Sequence, residues 1–432
     1  MKRLALVSGH FAPSNLVGAH RARLWSRYLP DFGWEPIVVT GDPGRYEERP
    51  DPDVLRLVSP DLRVIHAWTF PTRPVRLVGD VGIRAFWGCY RALARLAARR
   101  EIDFVLITIP SNFLAPVGRL IRCRYGVPYG IDYQDPWVAR LTPGTAASAK
   151  AWLSHRLALI LEPWSVRHAA LVTGIAPGYV AGMLERNPEV AQKATIAYMA
   201  MGSEPEAYEM VRGLQRPPFL FTPADGRFHM LYAGALLPAG GGVLKAFLAG
   251  LRALRERAPG SADRLRVHFV GTGRSPDDPQ GHQVRPLAAA AGVAEMVEEH
   301  PQRIGYLDVL NHLTSCDGVL ILGSTEPHYS PSKVFQAVLS RRPVFALLHA
   351  QSTASDVIRA SRAGTVLALT ETTLPGPDTV ADALEAFMQP GMHGAESVDS
   401  PAFEADTARA SACALAAALD RALAGGAAGG TA

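Results

Sequence analysis

Cysteine is scarce in this chain of 432 residues: there are four, Cys89, Cys123, Cys316 and Cys413, and no two form a CxxC pair. Neither a disulfide framework nor a zinc site is therefore expected, and the usage suits a reducing, cytosolic compartment. A surplus of one charge is missing too, since 44 basic and 40 acidic residues leave a net charge of +4. Coating nucleic acid needs a clustered basic excess, so no nucleic-acid partner is expected. No apolar stretch approaches the roughly 18 residues of a membrane span. Met1-Lys2-Arg3 and the apolar residues 4–7 resemble the start of a signal peptide. That run is too short for its apolar core and no cleavage-like site follows, so a first β-strand is the expectation. Short-period repeats are absent, as is a GxGxxG dinucleotide fingerprint.

What the sequence does have is apolar material, 48% hydrophobic against 19% charged, enough for packed cores and against disorder. Short apolar runs alternate with helical patterns from end to end. Strands are expected at 4–8, 36–40, 103–108, 130–133 and 171–173, then at 230–232, 267–270, 318–322, 344–347 and 364–368. Amphipathic helices are expected at 19–29, 82–99, 243–257, 331–339, 381–388 and 404–423. Such alternation implies βαβ units: an α/β protein of two Rossmann-like, doubly wound parallel sheets facing across a cleft. The expected organisation is an acceptor-side domain at 1–211, a proline-bearing linker at 212–227 and a second domain at 228–402. A last helix at 403–424 and a flexible glycine-rich tail at 425–432 complete it. Ligands of these sheets bind beyond the carboxyl ends of the strands, so the loops there should carry the chemistry.

Three such loops stand out. After the first strand, Ser8-Gly9-His10-Phe11-Ala12-Pro13-Ser14-Asn15-Leu16-Val17-Gly18 leads into a helix opened by Gly18, whose free amides suit an anion. In the second half Gly271-Thr272-Gly273 follows a strand, where glycine permits close approach of a phosphate. The richest is Gly323-Ser324-Thr325-Glu326-Pro327-His328-Tyr329-Ser330-Pro331-Ser332-Lys333, with Ser330 as N-cap and Pro331 at the helix start. A lysine in the first helical turn opposes the helix dipole, a conflict that a bound anion removes.

From Tyr329 to Val344 the sequence YSPSKVFQAVLSRRPV resembles the signature of GT-B glycosyltransferases, specifically the retaining, nucleotide-sugar-dependent family-4 type of bacterial surface polysaccharide assembly. Collinear with it, residues 11–41 resemble the family's opening strand, loop, helix and second strand. Residues 131–137 (IDYQDPW) are similar to its D-x-R-D-x-W segment. The stretch at 231–234 (LYAG) resembles the first donor-domain strand, 268–273 (HFVGTG) the F-x-G-x-G turn, and Ile304-Gly305-Tyr306 the base-binding turn. The resemblance covers residues 1 to about 370. It implies a transferase of the EC 2.4 class moving a sugar from a UDP- or GDP-linked donor to a saccharide or lipid-linked acceptor. It implies no cofactor and no metal.

The implied donor contacts are Gly18, Gly234, Gly271, Thr272, Arg274, Tyr306, Glu326, Ser332, Lys333 and Gln336. Where the family has a carboxylate pair, this chain has His328 and Gln336. Gln336 can hydrogen-bond a hydroxyl only without charge assistance, and Glu326 is the nearby substitute. The family's Arg and Lys after the first donor strand are replaced by 235–242 (ALLPAGGG), so the diphosphate falls to backbone amides, Lys333 and Arg274. Oriented amides and positive charge stabilise a departing diphosphate without a metal. Asp51-Pro52-Asp53 matches a metal-binding DxD only formally. His20 and Asp135 are the candidates for aligning the acceptor hydroxyl. Residues 73–100 carry seven arginines against Asp80. A wheel sets Arg84, Arg91, Arg95 and Arg99 on one face and Ile83, Phe86, Trp87, Tyr90 and Ala97 on the other. That suits peripheral contact with the inner membrane face, a lipid-diphosphate acceptor, or a domain helix with its apolar side in the core and its arginines in water. The alternatives are a sugar-nucleotide epimerase of the same fold and a non-catalytic partner that kept it.

Overall fold

The computed structural model describes the chain outside residues 75–77, 139–148, 237–239, 274–279, 328, 330, 392–400 and 429–432. Apolar runs such as GVLIL at Gly318–Leu322 suit strands covered on both faces, and every residue of that run is buried. Strands β1 (Lys2–Ser8), β2 (Trp34–Gly41), β3 (Arg63–Ala67), β4 (Phe104–Ile109), β5 (Tyr129–Tyr133), β6 (Leu171–Gly174) and β7 (Thr195–Tyr198) form one sheet. Its order is β3-β2-β1-β4-β5-β6-β7, parallel throughout. Strands β8 (Phe228–Ala233), β9 (Leu265–Val270), β10 (Val297–His300), β11 (Gly318–Leu322), β12 (Val344–His349) and β13 (Gly364–Leu369) form the other. Its order is β10-β9-β8-β11-β12-β13, again parallel. Both are doubly wound as expected, with switch points between β1 and β4 and between β8 and β11.

The ten expected strands are all present, and β3, β7 and β10 are additional. All three lie at sheet edges. An edge strand is covered by one neighbour only, so VEEH in β10 can carry three polar residues that a central strand could not.

The chain divides into two compact units: Met1–Gly202 with Ala408–Ala432, and Ser203–Thr407. The 212–227 stretch, expected to join the halves, thus lies within the second unit. The final helix runs over Ala408–Ala428 and belongs to the first unit, back across the whole chain. Trp25 Nε1 donates to Ser411 Oγ (3.0 Å) and Trp34 Nε1 to Asp420 Oδ1 (3.0 Å), while Lys2 Nζ pairs with Asp420 at 2.7 Å.

The core of the first unit encloses an ion pair with no solvent exposure on either side chain, Arg21 with Asp132. Arg21 Nε and Nη2 donate to the two carboxylate oxygens at 2.8 and 2.9 Å. Arg21 Nη1 donates to the carbonyls of Met199 and Ala200, each at 3.1 Å. Thr173 Oγ1 donates to Asp132 at 2.7 Å, so β5, β6 and the first helix, Val17–Tyr28, are tied through one carboxylate.

The arginine helix spans Val81–Ala98, but its faces differ from the wheel. Its small residues, Ala85, Gly88, Cys89 and Ala92, turn into the core together with Leu93 and Leu96. Arg84 is buried with them, donating to the carbonyls of Arg45 (2.9 Å) and Phe70 (3.2 Å). Ile83 and Trp87 are exposed instead, alongside Arg91 and Arg95. Gly88 accounts for the inversion: a Cβ there would meet the Trp68 carbonyl oxygen at 2.1 Å, so β3 and its extension occupy that face.

Candidate functional site

In the second unit the chain leaves β8 at Gly234 and β9 at Gly271, both with positive φ (124° and 73°), a conformation that glycine enters at no steric cost. Gly234 N–H donates to the Val270 carbonyl (2.8 Å) and Gly271 N–H to that of His300 (2.8 Å). The two turns touch: a Cβ on Gly271 would lie 3.9 Å from the Gly234 Cα and 3.6 Å from the Arg303 Cγ.

Lys333 arrives from the far side of the switch point, through the loop after β11. The expected helix at 331–339 begins later, at Lys333, with Ser332 in the N-cap position making no side-chain cap bond. Pro331 precedes the helix and its carbonyl accepts from Val334 N–H (3.0 Å), while Ser330 lies outside the described residues. The Lys333 ammonium is 3.8 Å from the centroid of the Tyr232 ring, and a Cβ on Gly234 would stand 3.2 Å from its Nζ. Desolvation by burial pushes the amine down, to about 7. The face of the Tyr232 ring offsets part of that desolvation by attracting the ammonium.

Other expected donor residues are placed differently. The Thr272 hydroxyl donates to Glu299 Oε1 (2.6 Å), which also accepts from the amides of Gln283 (2.8 Å) and Val284 (3.0 Å). Burial pushes the Glu299 carboxyl up, but the Thr272 hydroxyl and the backbone amides outweigh it and hold the group below its ordinary range. Thr272 therefore braces the 283–285 turn with its side chain. Tyr306 is half-buried at the start of the helix Tyr306–Ser315. Glu326 is exposed, its N–H on Ser324 Oγ (3.2 Å). Gln336 is half-buried one turn beyond Lys333, and its carbonyl accepts from Tyr208 Oη (2.5 Å). Arg274 and His328 lie outside the described residues.

Arg303 is a cation beside these turns that sequence reading did not single out. It stands half-buried against Gly271, in the segment between β10 and the Tyr306 helix. No motif marks it, because β10 itself was not legible.

In the first unit Gly18 is the second residue of the Val17–Tyr28 helix. A Cβ on it would lie 3.1 Å from the Pro110 ring, so the glycine lets this helix approach the end of β4. His20 is half-buried, its Nδ1 3.3 Å from Arg23 Nη2. Asp135 is exposed on the loop after β5. Desolvation by the surrounding protein raises its carboxyl, to about 6. The group that follows β1 at the switch point is His10, also missed. Its ring packs on Tyr46 (4.8 Å between centroids) and stands 3.6 Å from Glu48. Burial is the main cause that lowers its pKa, so the imidazole is neutral at pH 7.

Gly234→Ala is a direct check on the Lys333 geometry. The strained φ and the contact with Nζ should together cost about 1–3 kcal/mol. Thermal unfolding would show this, and an unchanged transition would contradict the tight approach.

Among the described residues no helix is long and apolar enough to cross a membrane. A family model described as a glycosyl transferase 4-like domain matches residues 18–199. No curated protein matches the chain by sequence. Among solved structures it is similar to trehalose-6-phosphate synthase OtsA, with TM-score 0.61 and 13% identity over 97% of this chain and 99% of that one. It is similar to sucrose-phosphate synthase of Thermosynechococcus elongatus, with TM-score 0.58 and 14% identity over 98% and 94%. It is also similar to Anabaena Alr3699/HepE, solved with UDP and glucose, with TM-score 0.57 and 15% identity over 98% and 97%. Residues 18–199 thus match a glycosyl transferase 4-like domain, and the chain as a whole has the GT-B fold.

Proposed function

We propose that the protein is a glycosyltransferase that moves a sugar from a UDP- or GDP-linked donor to a saccharide or lipid-linked acceptor of a cell-surface polymer. The donor diphosphate lodges at the Gly234 and Gly271 turns with Lys333 and Arg303. The observation that carries this reading is the Lys333 ammonium, desolvated and set against Gly234 at the switch point of its sheet. HepE, a neighbour in fold, was solved with UDP and with UDP-glucose.

In the proposed reaction the bond from the anomeric carbon to the diphosphate oxygen breaks and a bond to the acceptor oxygen forms. The acceptor proton leaves with the departing phosphate oxygen, configuration is retained, and no metal takes part. Lys333, Arg303 and the turn amides offset the charge that develops on the diphosphate, which is where the largest catalytic term usually arises. Calorimetry with UDP and GDP, followed by a screen of their sugars for donor hydrolysis, tests the assignment. Absence of binding to either nucleotide would overturn it in favour of a non-catalytic partner.

The acceptor is assigned to the first unit, at the strand ends bearing His10 and Asp135. With its carboxyl near 6, Asp135 accepts a hydrogen bond from the acceptor hydroxyl only above that pH. Acceptor kcat/KM should fall about tenfold per unit as pH drops below 6, since one proton abolishes the active form. Asp135→Asn should flatten that limb, and an unaltered profile would remove Asp135 from the site.

Membrane contact is proposed through the exposed Trp68 and Trp87, at 59% and 60% exposure, with Arg91 and Arg95 beside them. Each arginine at an anionic surface contributes about 1 kcal/mol. The double variant R91Q/R95Q should then reduce partition onto anionic vesicles about 30-fold in flotation. Equal flotation of both proteins would end this idea.

A further inference from the structure

We infer that the second unit holds a divalent transition-metal ion of the zinc type, bound by His268, Glu298 and His300. The site lies on the face of the sheet opposite its main apolar core. The register pairs Glu298 with His268 and Leu231 with His268. Side chains alternate along a strand, so His229, His268, Glu298 and His300 all project to one side. One ligand atom from each of His268, Glu298 and His300 falls within 4.8 Å of the others.

The proton positions favour a cation there. His229 Nε2 lies 3.1 Å from Asp225 Oδ1, and His229 Nδ1 lies 2.9 Å from His268 Nε2. A carboxylate only accepts, so a neutral His229 carries its proton on Nε2 and presents an acceptor at Nδ1. His268 must then donate through Nε2, which leaves the Nδ1 lone pair bare. That lone pair stands 3.3 Å from Glu298 Oε2, acceptor against acceptor. His268 Nδ1 and His300 Nε2 are both buried without a hydrogen-bond partner among the described residues. Two uncoupled imidazole nitrogens beside a carboxylate are costly alone, and a metal ion satisfies all three at once.

The donor set selects the ion. Two imidazoles and one carboxylate suit zinc rather than magnesium or calcium, which prefer oxygen throughout. Tetrahedral bonds of about 2.0–2.1 Å place neighbouring ligands about 3.3 Å apart, the separation already found between His268 and Glu298. The chain Asp225–His229–His268 supplies the outer support that such ligands commonly have. The position is structural: the His300 carbonyl holds the Gly271 N–H, and Pro301 O holds the Gly273 N–H (2.9 Å). An ion at His300 therefore pins the edge strand behind the Gly271 turn.

Tag-free full-length protein, stripped with a chelator, should take up one equivalent of Co²⁺ with the visible absorption of a four-coordinate ion, and Zn²⁺ should displace it. Glu298→Gln and His300→Gln, each checked for native circular dichroism, should bind Co²⁺ at least about tenfold more weakly and lose the rise in thermal midpoint that Zn²⁺ confers. The Glu298 side chain is 44% exposed, so its variant should fold. Failure of the wild type to bind Co²⁺, or unchanged affinity and absorption in Glu298→Gln, would overturn the site. Neither readout involves a nucleotide, so the result stands apart from the transferase reading.

Discussion

Lys333→Met should weaken binding of UDP or GDP, whichever the wild type prefers, by about 10- to 150-fold. Hydrogen bonds to a charged partner contribute about 1.5–3 kcal/mol each, and each 1.4 kcal/mol is a factor of ten. The pH dependence is the sharper readout. In the free protein burial holds this amine at about 7, and the diphosphate favours the ammonium. Wild-type affinity should therefore be full below pH 7 and fall about tenfold per unit above it, with proton uptake on binding. The methionine variant should lack that slope. Lys333→Arg, which stays charged, should move it beyond the measured range. Calorimetry in buffers of different ionisation enthalpy would detect the proton directly. A pH-independent wild-type affinity would remove Lys333 from the diphosphate.

The second large effect is on stability. Removing one partner of the unexposed Arg21–Asp132 pair leaves a buried charge and should cost about 3–5 kcal/mol. The double replacement of Arg21 by Met and Asp132 by Leu should cost far less than the sum of the single changes, because apolar groups of similar shape leave nothing unpaired. All seven tryptophans lie between Trp25 and Trp164, within the first unit. Tryptophan fluorescence in a urea titration therefore reports on that unit alone. Additivity of the single changes would show that the pair does not act as a buried couple.

Asp132 also shows where sequence reading stops. The IDYQDPW segment was legible as a landmark, yet one carboxylate serves the core and another, Asp135, faces solvent at the strand end. Nothing in the local pattern distinguishes them, because the difference lies in which strand and helix pack over each. Arg84 makes the same point: on a wheel it is a surface arginine, and only Gly88, opened to let Trp68 approach, turns that face inward.

By itself the sequence determined the two parallel sheets, since central strands buried on both faces require unbroken apolar runs and their crossovers require amphipathic helices. It also determined the glycine turns and the lysine after β11, where backbone freedom and charge are properties of the residue alone. Tertiary structure decided the edge strands β3, β7 and β10, which one-sided cover leaves free to be polar. It decided the return of the last helix to the first unit, and the company of Lys333 with Tyr232 and Gly234. It brought Arg303 to Gly271 and aligned His268 with Glu298 and His300. Such contacts join residues tens to hundreds of positions apart, and their energies depend on burial and separation, which no local pattern records.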